Sequence, residues 1–510
     1  MSPKKPHKWL VLAVLCLSVF LVVVDNTIVN VALPSLSGQL HASNSALQWI
    51  VDAYSLPFAG LLLAGGGLSD RLGRKRVMQV GLLFFAAFSA LSAWSHSASQ
   101  LITARALMGL AAAFIFPATL SILTITFTDA RDRAKAYGIW GATSGLAVAF
   151  GPLTGGALIE HFWWGSVFLV NLPLVAITMV AGQIVIPESK SEFNRKFDFT
   201  GLVLGSSGIT LLVLAIIQGP NWGWRSTTTL GLFAGSVALL AGFIVWERRR
   251  TEPLLDVRVF AKPAFSAGAT SIAASFFCLF GFIFLLTQYF QLVRGYSALS
   301  AGVHTLPFAF TSMVVTPLGA LLALRIGTRW VVGTGLVLMG VSLVWMGGLP
   351  ADASFVGPIL GSMITMATGF SLITAPSTAA VMGSLSPEQI GAGSAVNNVT
   401  RELGGTLGVA VVGSAFSSVF GPQVLHALGT TVPSAVAQTA SESMQAALGT
   451  VRALPASVGH SIEPHIVSSF MNGLHRGCFV AAGAAFALSL LAFFLLPTKA
   501  DQPPVTVAAH

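Results

Sequence analysis

Asp25, Asp52, Arg105 and Glu402 are ionisable residues that stand inside long apolar stretches of this sequence. A charge deep in a bilayer costs on the order of 3 kcal/mol or more, so such residues face a polar interior and mark ion or substrate paths. A carboxylate beside an arginine is held ionised, while burial favours its neutral form. Those opposed effects suit a group that exchanges protons as its surroundings alternate. At about 1.5 Å of rise per residue, Asp25, Asp52 and Arg105 share a depth in the outer third of the membrane, on the first, second and fourth spans. Asp25 is the leading protonation candidate, tuned by Asp52 and Arg105; a static ion pair fixing helix packing is the alternative. Glu402, near the midplane of span thirteen, fits a cation, a proton or a structural role beside a buried polar group. Arg401 precedes it by roughly 100° around the helix, so the two need not touch. His304, near the outer end of span ten, fits a packed or solvated residue better than a proton relay.

Other chemistries lack their residues. Cys16, Cys278 and Cys478 all fall in apolar stretches and give neither a disulfide framework nor metal-ligand spacing. There is no GxxxxGK[ST] loop, metal cluster or nucleophile triad, which disfavours an ATP-driven pump and an enzyme. No cofactor and no metal are expected.

The elements that must hold the four residues follow from composition. The 510 residues are 54% apolar and only 9% charged, against about 25% charged in soluble chains. The charges separate runs of about 18–25 residues, each enough to cross a hydrocarbon core as a helix. A lipid-embedded backbone must satisfy its own hydrogen bonds, which favours helices. The short alternating segments of a porin-type barrel do not occur. The expected spans are 9–32, 47–66, 77–94, 100–123, 135–158, 165–186, 200–218, 229–246, 265–290, 300–324, 330–349, 354–379, 390–416 and 475–496.

The net charge of +9 is topological. Lys4, Lys5 and Lys8 begin one side. Arg71, Arg74, Lys75, Arg76, Arg131, Arg133, Lys135, Lys190, Arg195 and Lys196 continue it. Arg248, Arg249, Arg250, Arg258, Lys262, Arg325, Arg329 and Lys499 complete it. The other side has Arg225, Arg294, Arg452 and Arg476. Basic loops stay cytoplasmic, so both termini are expected there, with an even number of spans. No nucleic-acid partner is implied. The first apolar stretch is too long for a signal peptide, has no clean cleavage site and is followed by Asp25.

An internal repeat sets the architecture. Residues 63–81, LAGGGLSDRLGRKRVMQVG, align without gaps with residues 317–335, PLGALLALRIGTRWVVGTG. Gly65, Arg71, Gly73 and Gly81 meet Gly319, Arg325, Gly327 and Gly335. A weaker echo pairs residues 116–119 with 375–378. The copies lie eight spans apart, which two six-span halves and one inserted hairpin explain; such repeats are a transporter signature. The expected divisions are 1–186 for the N-terminal bundle, 187–262 for the inserted hairpin with its linkers, and 263–510 for the C-terminal bundle. The last includes an extracytoplasmic segment, 417–472, that could hold short amphipathic helices lying on the outer membrane face.

The segment Gly66–Arg76, GGLSDRLGRKR, resembles the loop signature of the major facilitator superfamily. GIWGATSGLAVAFGPLTGG at 138–156 resembles the fifth-span motif of its drug:proton antiporters, with Ala147 where glycine is usual. DNTIVNVALP from Asp25, WIVDAYSL from Trp49 and NNVTRELGG from Asn397 are similar to the first, second and thirteenth spans of its fourteen-span multidrug subfamily.

The resemblance implies an all-α polytopic membrane protein of the major facilitator fold, two six-helix bundles plus two inserted helices. It implies proton-coupled efflux of small amphipathic or lipophilic compounds (drugs, dyes, cationic antiseptics) by alternating access. A lipid or lipid-like metabolite exporter on the same fold is the alternative, for which uncharged Asn397 and Asn398 leave room. The expected partners are a small-molecule substrate, protons and membrane lipid, for a monomer in a bacterial inner membrane.

In the signature loop, Gly66 and Gly73 permit a tight turn and Asp70 can favour the positive start of span three. Arg71, Arg74, Lys75 and Arg76 are expected at anionic headgroups. The resemblance implies that Asp70 forms a latch between the halves. In the second copy Leu324 replaces it, so that latch is asymmetric. Gly145, Gly151, Pro152, Gly155 and Gly156 crowd span five. Small residues there allow close packing and Pro152 a kink, and the resemblance adds an occluding role.

Overall fold

The computed structural model describes residues 7–40, 44–189, 198–251, 253–386, 389–429 and 431–496. Lys4, Lys5, Lys190, Arg195, Lys196 and Lys499, part of the expected charge asymmetry, lie outside the described residues.

The described chain is helical, with no strand among the described residues. The helices are α1 Lys8–Gln39, α2 Asn44–Leu72, α3 Arg74–Ala93, α4 Ala98–Thr126, α5 Ala130–His161, α6 Ser166–Leu169, α7 Asn171–Val185, α8 Phe199–Trp222 and α9 Thr227–Arg249. They continue as α10 Pro263–Gln288, α11 Ala298–Ile326, α12 Thr328–Gly347, α13 Leu360–Gly383, α14 Ile390–Leu428, α15 Ser434–Glu442, α16 Met444–Arg452 and α17 Ala456–Leu495. Fourteen spans are long and apolar enough to cross a membrane, with α6 and α7 together making the sixth. Polar residues mark the starts. Ser97, Asp129, Asp198, Ser226 and Ser297 each accept from the amide three residues on, at α4, α5, α8, α9 and α11. That satisfies an amide the helix leaves without a partner.

The repeat is realised in three dimensions. α2 and α3 are separated by Gly73 alone, at φ +107°, and α11 and α12 by Gly327 alone, at φ +95°. Only glycine takes this backbone without strain. Gly81 of α3 packs on Ile115 of α4, and Gly335 of α12 on Ile373 of α13. The segment Gly66–Arg76 is therefore not a loop, as expected from sequence. α2 stays helical through Asp70 to Leu72, and a single glycine makes the turn.

Buried apolar side chains form one large cluster across α1–α7, extending to Ile209 and Val213 of α8 and across the boundary to Ala320, Ala375, Met382, Ile390 and Val399 of α11, α13 and α14, and a second across α10–α17. A small third cluster joins Leu63, Phe243, Leu255, Phe265, Val381 and Ala395. α8 lies on the seam between α2 and α14. Gly60 of α2 faces Thr210, Gly205 faces Leu63, and Trp224 Nε1 donates to Ser414 Oγ of α14 at 3.0 Å. α9 packs on α8 at the outside, with Ser236 Oγ donating to the Gly208 carbonyl at 2.8 Å.

The segment 417–472 differs from expectation. α14 runs for 39 residues and α17 for 40, nearly twice what a hydrocarbon core of about 30 Å needs. α15 and α16 are the short helices expected, but their apolar faces are covered by protein. Ala437, Ala440, Met444, Ala447, Leu448 and Val451 are buried against Phe416, Phe420, Val424, Ile462, Ile466 and Phe470 of the extended α14 and α17. The long helices supply a protein surface that the amphipathic pattern alone does not reveal.

Candidate functional site

The first group of polar residues lies within the N-terminal half. Asp25 and Arg105 are both fully buried, and Arg105 Nη1 is 2.6 Å from Asp25 Oδ2. The other carboxylate oxygen accepts from Asn171 Nδ2 at 2.7 Å, and Asn171 Nδ2 also lies 3.0 Å from Ser89 Oγ. Arg105 Nε donates to the Ile50 carbonyl, and the guanidinium lies 4.4 Å from the centre of the Tyr54 ring. Tyr54 is held by its hydroxyl, which donates to the Val22 carbonyl. Five helices thus hold one carboxylate: α1 carries it, and α2, α3, α4 and α7 supply its surroundings. A buried carboxylate needs such partners, because an isolated charge there is strongly unfavourable.

Asp52 is not part of this network. It is half-buried and forms no ion pair among the described residues. Shared depth brought it to the right level, but Tyr54, two residues on, occupies the face of α2 that meets Arg105. Sequence reasoning missed Asn171, Ser89 and Tyr54; the available signal was a lone amide, Asn171, inside an apolar span.

The second group closes the end of the bundle that carries Arg71, Lys75, Arg76 and Arg325, the basic end. Asp70 Oδ1 pairs with Arg74 Nη2 at 2.5 Å, and Asp70 Oδ2 accepts from the Gly391 amide at 2.9 Å. Gly391 lies in the first turn of α14, where unpaired amides carry partial positive charge. A Cβ on Gly391 would collide with the Asp70 carboxylate, and one on Gly66 with the Gly391 carbonyl. Nearby, Ser394 Oγ of α14 donates to the Pro117 carbonyl of α4 at 2.8 Å.

Two expectations are corrected here. Asp70 does not serve the start of α3. Glu188, after α7, does so, accepting from the amides of Lys75 and Arg76 at 3.2 and 3.1 Å. Nor does Arg74 face headgroups: it is 3% exposed, held inward by Asp70. Arg71 is exposed at the end of α2.

The glycines of α5 divide between two faces. Gly138, Gly145 and Gly156 meet Pro317, Ser312 and Leu299 of α11, in the other half. Gly151 and Gly155 meet Thr27 and Ile28 of α1. Pro152 lies within the helix between them, and Ala147 is fully buried.

A third group crosses the boundary between halves. Rings of Tyr54, Phe58, Phe116 and Trp140 follow one another at 5.9, 5.8 and 5.8 Å. The Arg401 guanidinium comes next, 4.6 Å from the Trp140 ring and 5.2 Å from that of Phe276, which meets Phe370 at 5.3 Å. Glu402 is half-buried and has no ion pair among the described residues, and Tyr54 lies within electrostatic reach of it. His304 packs against Tyr296 and Phe355, both at 4.5 Å, and its Nδ1 lies 2.7 Å from the Ser300 carbonyl. No cluster of His, Cys, Asp or Glu among the described residues could hold a metal ion.

Comparisons with known proteins show the family of the chain. The Major Facilitator Superfamily model matches residues 15–409. The multidrug efflux pump LfrA of Mycolicibacterium smegmatis is 34% identical over 93% of this chain and 93% of its own length. The tetracenomycin C resistance and export protein of Streptomyces glaucescens is 31% identical over 98% of this chain and 94% of its own. The fold is shared with the human organic anion transporter MFSD10, at a TM-score of 0.61 and 16% identity, over 97% of this chain and 100% of that one. With fourteen spans, a repeated glycine break and a charge-bearing interior, the chain is a multi-pass membrane transporter that belongs to the major facilitator superfamily.

Proposed function

We propose that this protein uses the proton gradient to export small amphipathic, drug-like compounds by alternating access. It sits as a monomer in a bacterial inner membrane with the basic end and both termini in the cytoplasm. The observation that carries the coupling is the Asp25–Arg105 pair, fully buried and held by Asn171. A carboxylate in this setting can exchange its proton only when the surrounding helices part, which is the property an antiporter requires. The contacts of Asp70 and Ser394 tie the two halves together at the basic end and suit a state closed to the cytoplasm. The α5–α11 contact, lined by Gly138, Gly145 and Gly156, gives the halves a smooth surface on which to rock. The relatives named for multidrug efflux and for tetracenomycin C resistance and export support drug-like cargo. The ring series from Tyr54 to Phe370 suits such cargo.

The test is transport in proteoliposomes under an imposed pH gradient, with cationic, neutral and lipidic compounds compared. Substrate-induced proton movement that a protonophore abolishes is the expected result. Substrate movement with no proton movement would overturn the coupling, and transport of lipidic compounds alone would favour a lipid exporter.

A further inference from the structure

Arg401 is a buried charge at the boundary of the halves that neither the proton scheme nor the Asp70 contact uses. It is 6% exposed, and no carboxylate lies within ion-pair distance among the described residues. Arg105, by contrast, has Asp25. Arg401 Nη2 donates to Thr378 Oγ1 at 3.2 Å, and its buried Nε has no hydrogen-bond partner. Asn397 and Asn398 stand one turn before it on α14, the spacing that places side chains on one face. Asn398 Nδ2 and Asn397 Oδ1 are buried and unpartnered, as are Thr374 Oγ1 and Ser377 Oγ on α13, beside Thr378.

Buried cations are normally paired with an acid, and buried polar atoms are normally hydrogen-bonded. Here both rules fail along neighbouring turns of α13 and α14, and the one full charge among the orphaned groups is positive. The unpartnered groups include Arg401 Nε and Asn398 Nδ2, both donors, and two hydroxyls that can donate. What would complete the set is a negatively charged group with two acceptor oxygens, which the planar guanidinium matches with two parallel bonds. A metal cation is excluded by the charge.

We propose that Arg401, with Asn398 and Thr378, recognises a carboxylate or similar oxyanion on the exported compound, whose aromatic body lies against Trp140 and Phe276. The proposal rests on the efflux reading above and adds a substrate class to it. The geometry also supplies a trigger. Trp140 belongs to α5 and Arg401 to α14, in opposite halves, so the stack seen here bridges the boundary. Opening the basic end parts these helices and bares the guanidinium in the state that loads cargo from the cytoplasm. Glu402, about 100° further round the helix, gives a separate locus for positive charge. Compounds carrying both an acid and a cation are the best fit.

The experiment compares two probes on the full-length protein in lipid nanodiscs: a rhodamine with a free carboxylate and its methyl ester. Binding is read by fluorescence polarisation, and the readout is the ratio of the two affinities. Arg401→Gln should lower the preference for the acid by roughly tenfold or more, and Arg401→Lys should restore part of it, since lysine keeps the charge but not the fork. Thr378→Val and Asn398→Leu should lower the ratio less. These two decide the matter if Arg401→Gln does not yield folded protein by gel filtration. An unchanged ratio in the variants, or a parental protein that does not bind the acid, overturns the proposal. The efflux reading is scored separately, by protonophore-sensitive export of the ester dye. Its loss with the acid ratio intact would sink that reading and leave the binding site standing.

Discussion

The carboxylate of Asp70 on α2 accepts a hydrogen bond from the amide of Gly391 on α14, 2.9 Å away and across the boundary between the two halves. Asp70 also holds Arg74, the first residue of α3, so one side chain ties a helix start in its own half to a helix start in the other. Asp70→Asn removes the charge from both contacts. A charge-assisted bond of this type contributes about 1.5–3 kcal/mol, so export at equal membrane abundance should fall roughly tenfold to a hundredfold. Unchanged export would show that the contact does not govern opening.

Gly391→Ala attacks the same contact from the other side. Its Cβ meets the Asp70 carboxylate, which must shift and so give up its bond from the Gly391 amide. The variant should export poorly, and adding Asp70→Ala should recover part of the loss. Contacting residues are expected to be non-additive in this way. Strict additivity of the two losses in a double-mutant cycle would argue against direct contact.

Asp25→Asn keeps the shape of the buried network and removes the titratable group. Uphill, pH-driven efflux should be abolished while downhill exchange persists. Asp52→Asn, at a half-buried site outside the network, should give a milder loss or one restricted to cationic substrates. Arg105→Ala strands a fully buried carboxylate, a change that costs roughly 3–5 kcal/mol, and should impair folding as well as coupling. The deciding measurement is substrate-induced proton movement in liposomes. Parental exchange by Asp25→Asn would make Asp25 structural and turn attention to Glu402.

Glu188 should be separable from transport. It accepts from the first amides of α3 without touching the buried network. Glu188→Ala removes a cap of about 1 kcal/mol, so the melting temperature in detergent should drop by a few degrees with export nearly intact. A large loss of transport with no change in melting would contradict a capping role.

The outer helical cap should behave as a packed core. Phe470 is fully buried and meets Phe416 at a ring distance of 5.2 Å. Phe470→Ala should destabilise by about 3 kcal/mol or more, seen as earlier melting and faster proteolysis between 429 and 456. Parental protease resistance would mean that the cap contributes little to its own order.

The sequence by itself determined the number of spans, the repeat that sets Gly73 and Gly327 at matching positions, and the choice of Asp25 and Arg105 as charges inside the spans. In lipid, backbone hydrogen bonding and hydropathy are both local properties, and a repeat is a comparison of two local patterns. Glycine at 73 and 327 is legible for the same reason, since a positive φ is a demand of one residue. Long-range pairing is not local, and only the tertiary structure decided it. Asn171 reaches Asp25 from 146 positions away, and Gly391 reaches Asp70 from 321. Depth along a helix placed Asp52 beside Asp25 and Arg105, but the rotation of α2 gave that face to Tyr54. The same holds for α15 and α16, whose amphipathic pattern is satisfied equally by lipid or by protein. The length of α14 and α17 past the membrane decided in favour of protein. Helix geometry alone turned Arg401 about 100° away from Glu402. Only assembly of the two halves set it between Trp140 and Phe276, because the partner of a side chain is chosen by what packs against its face.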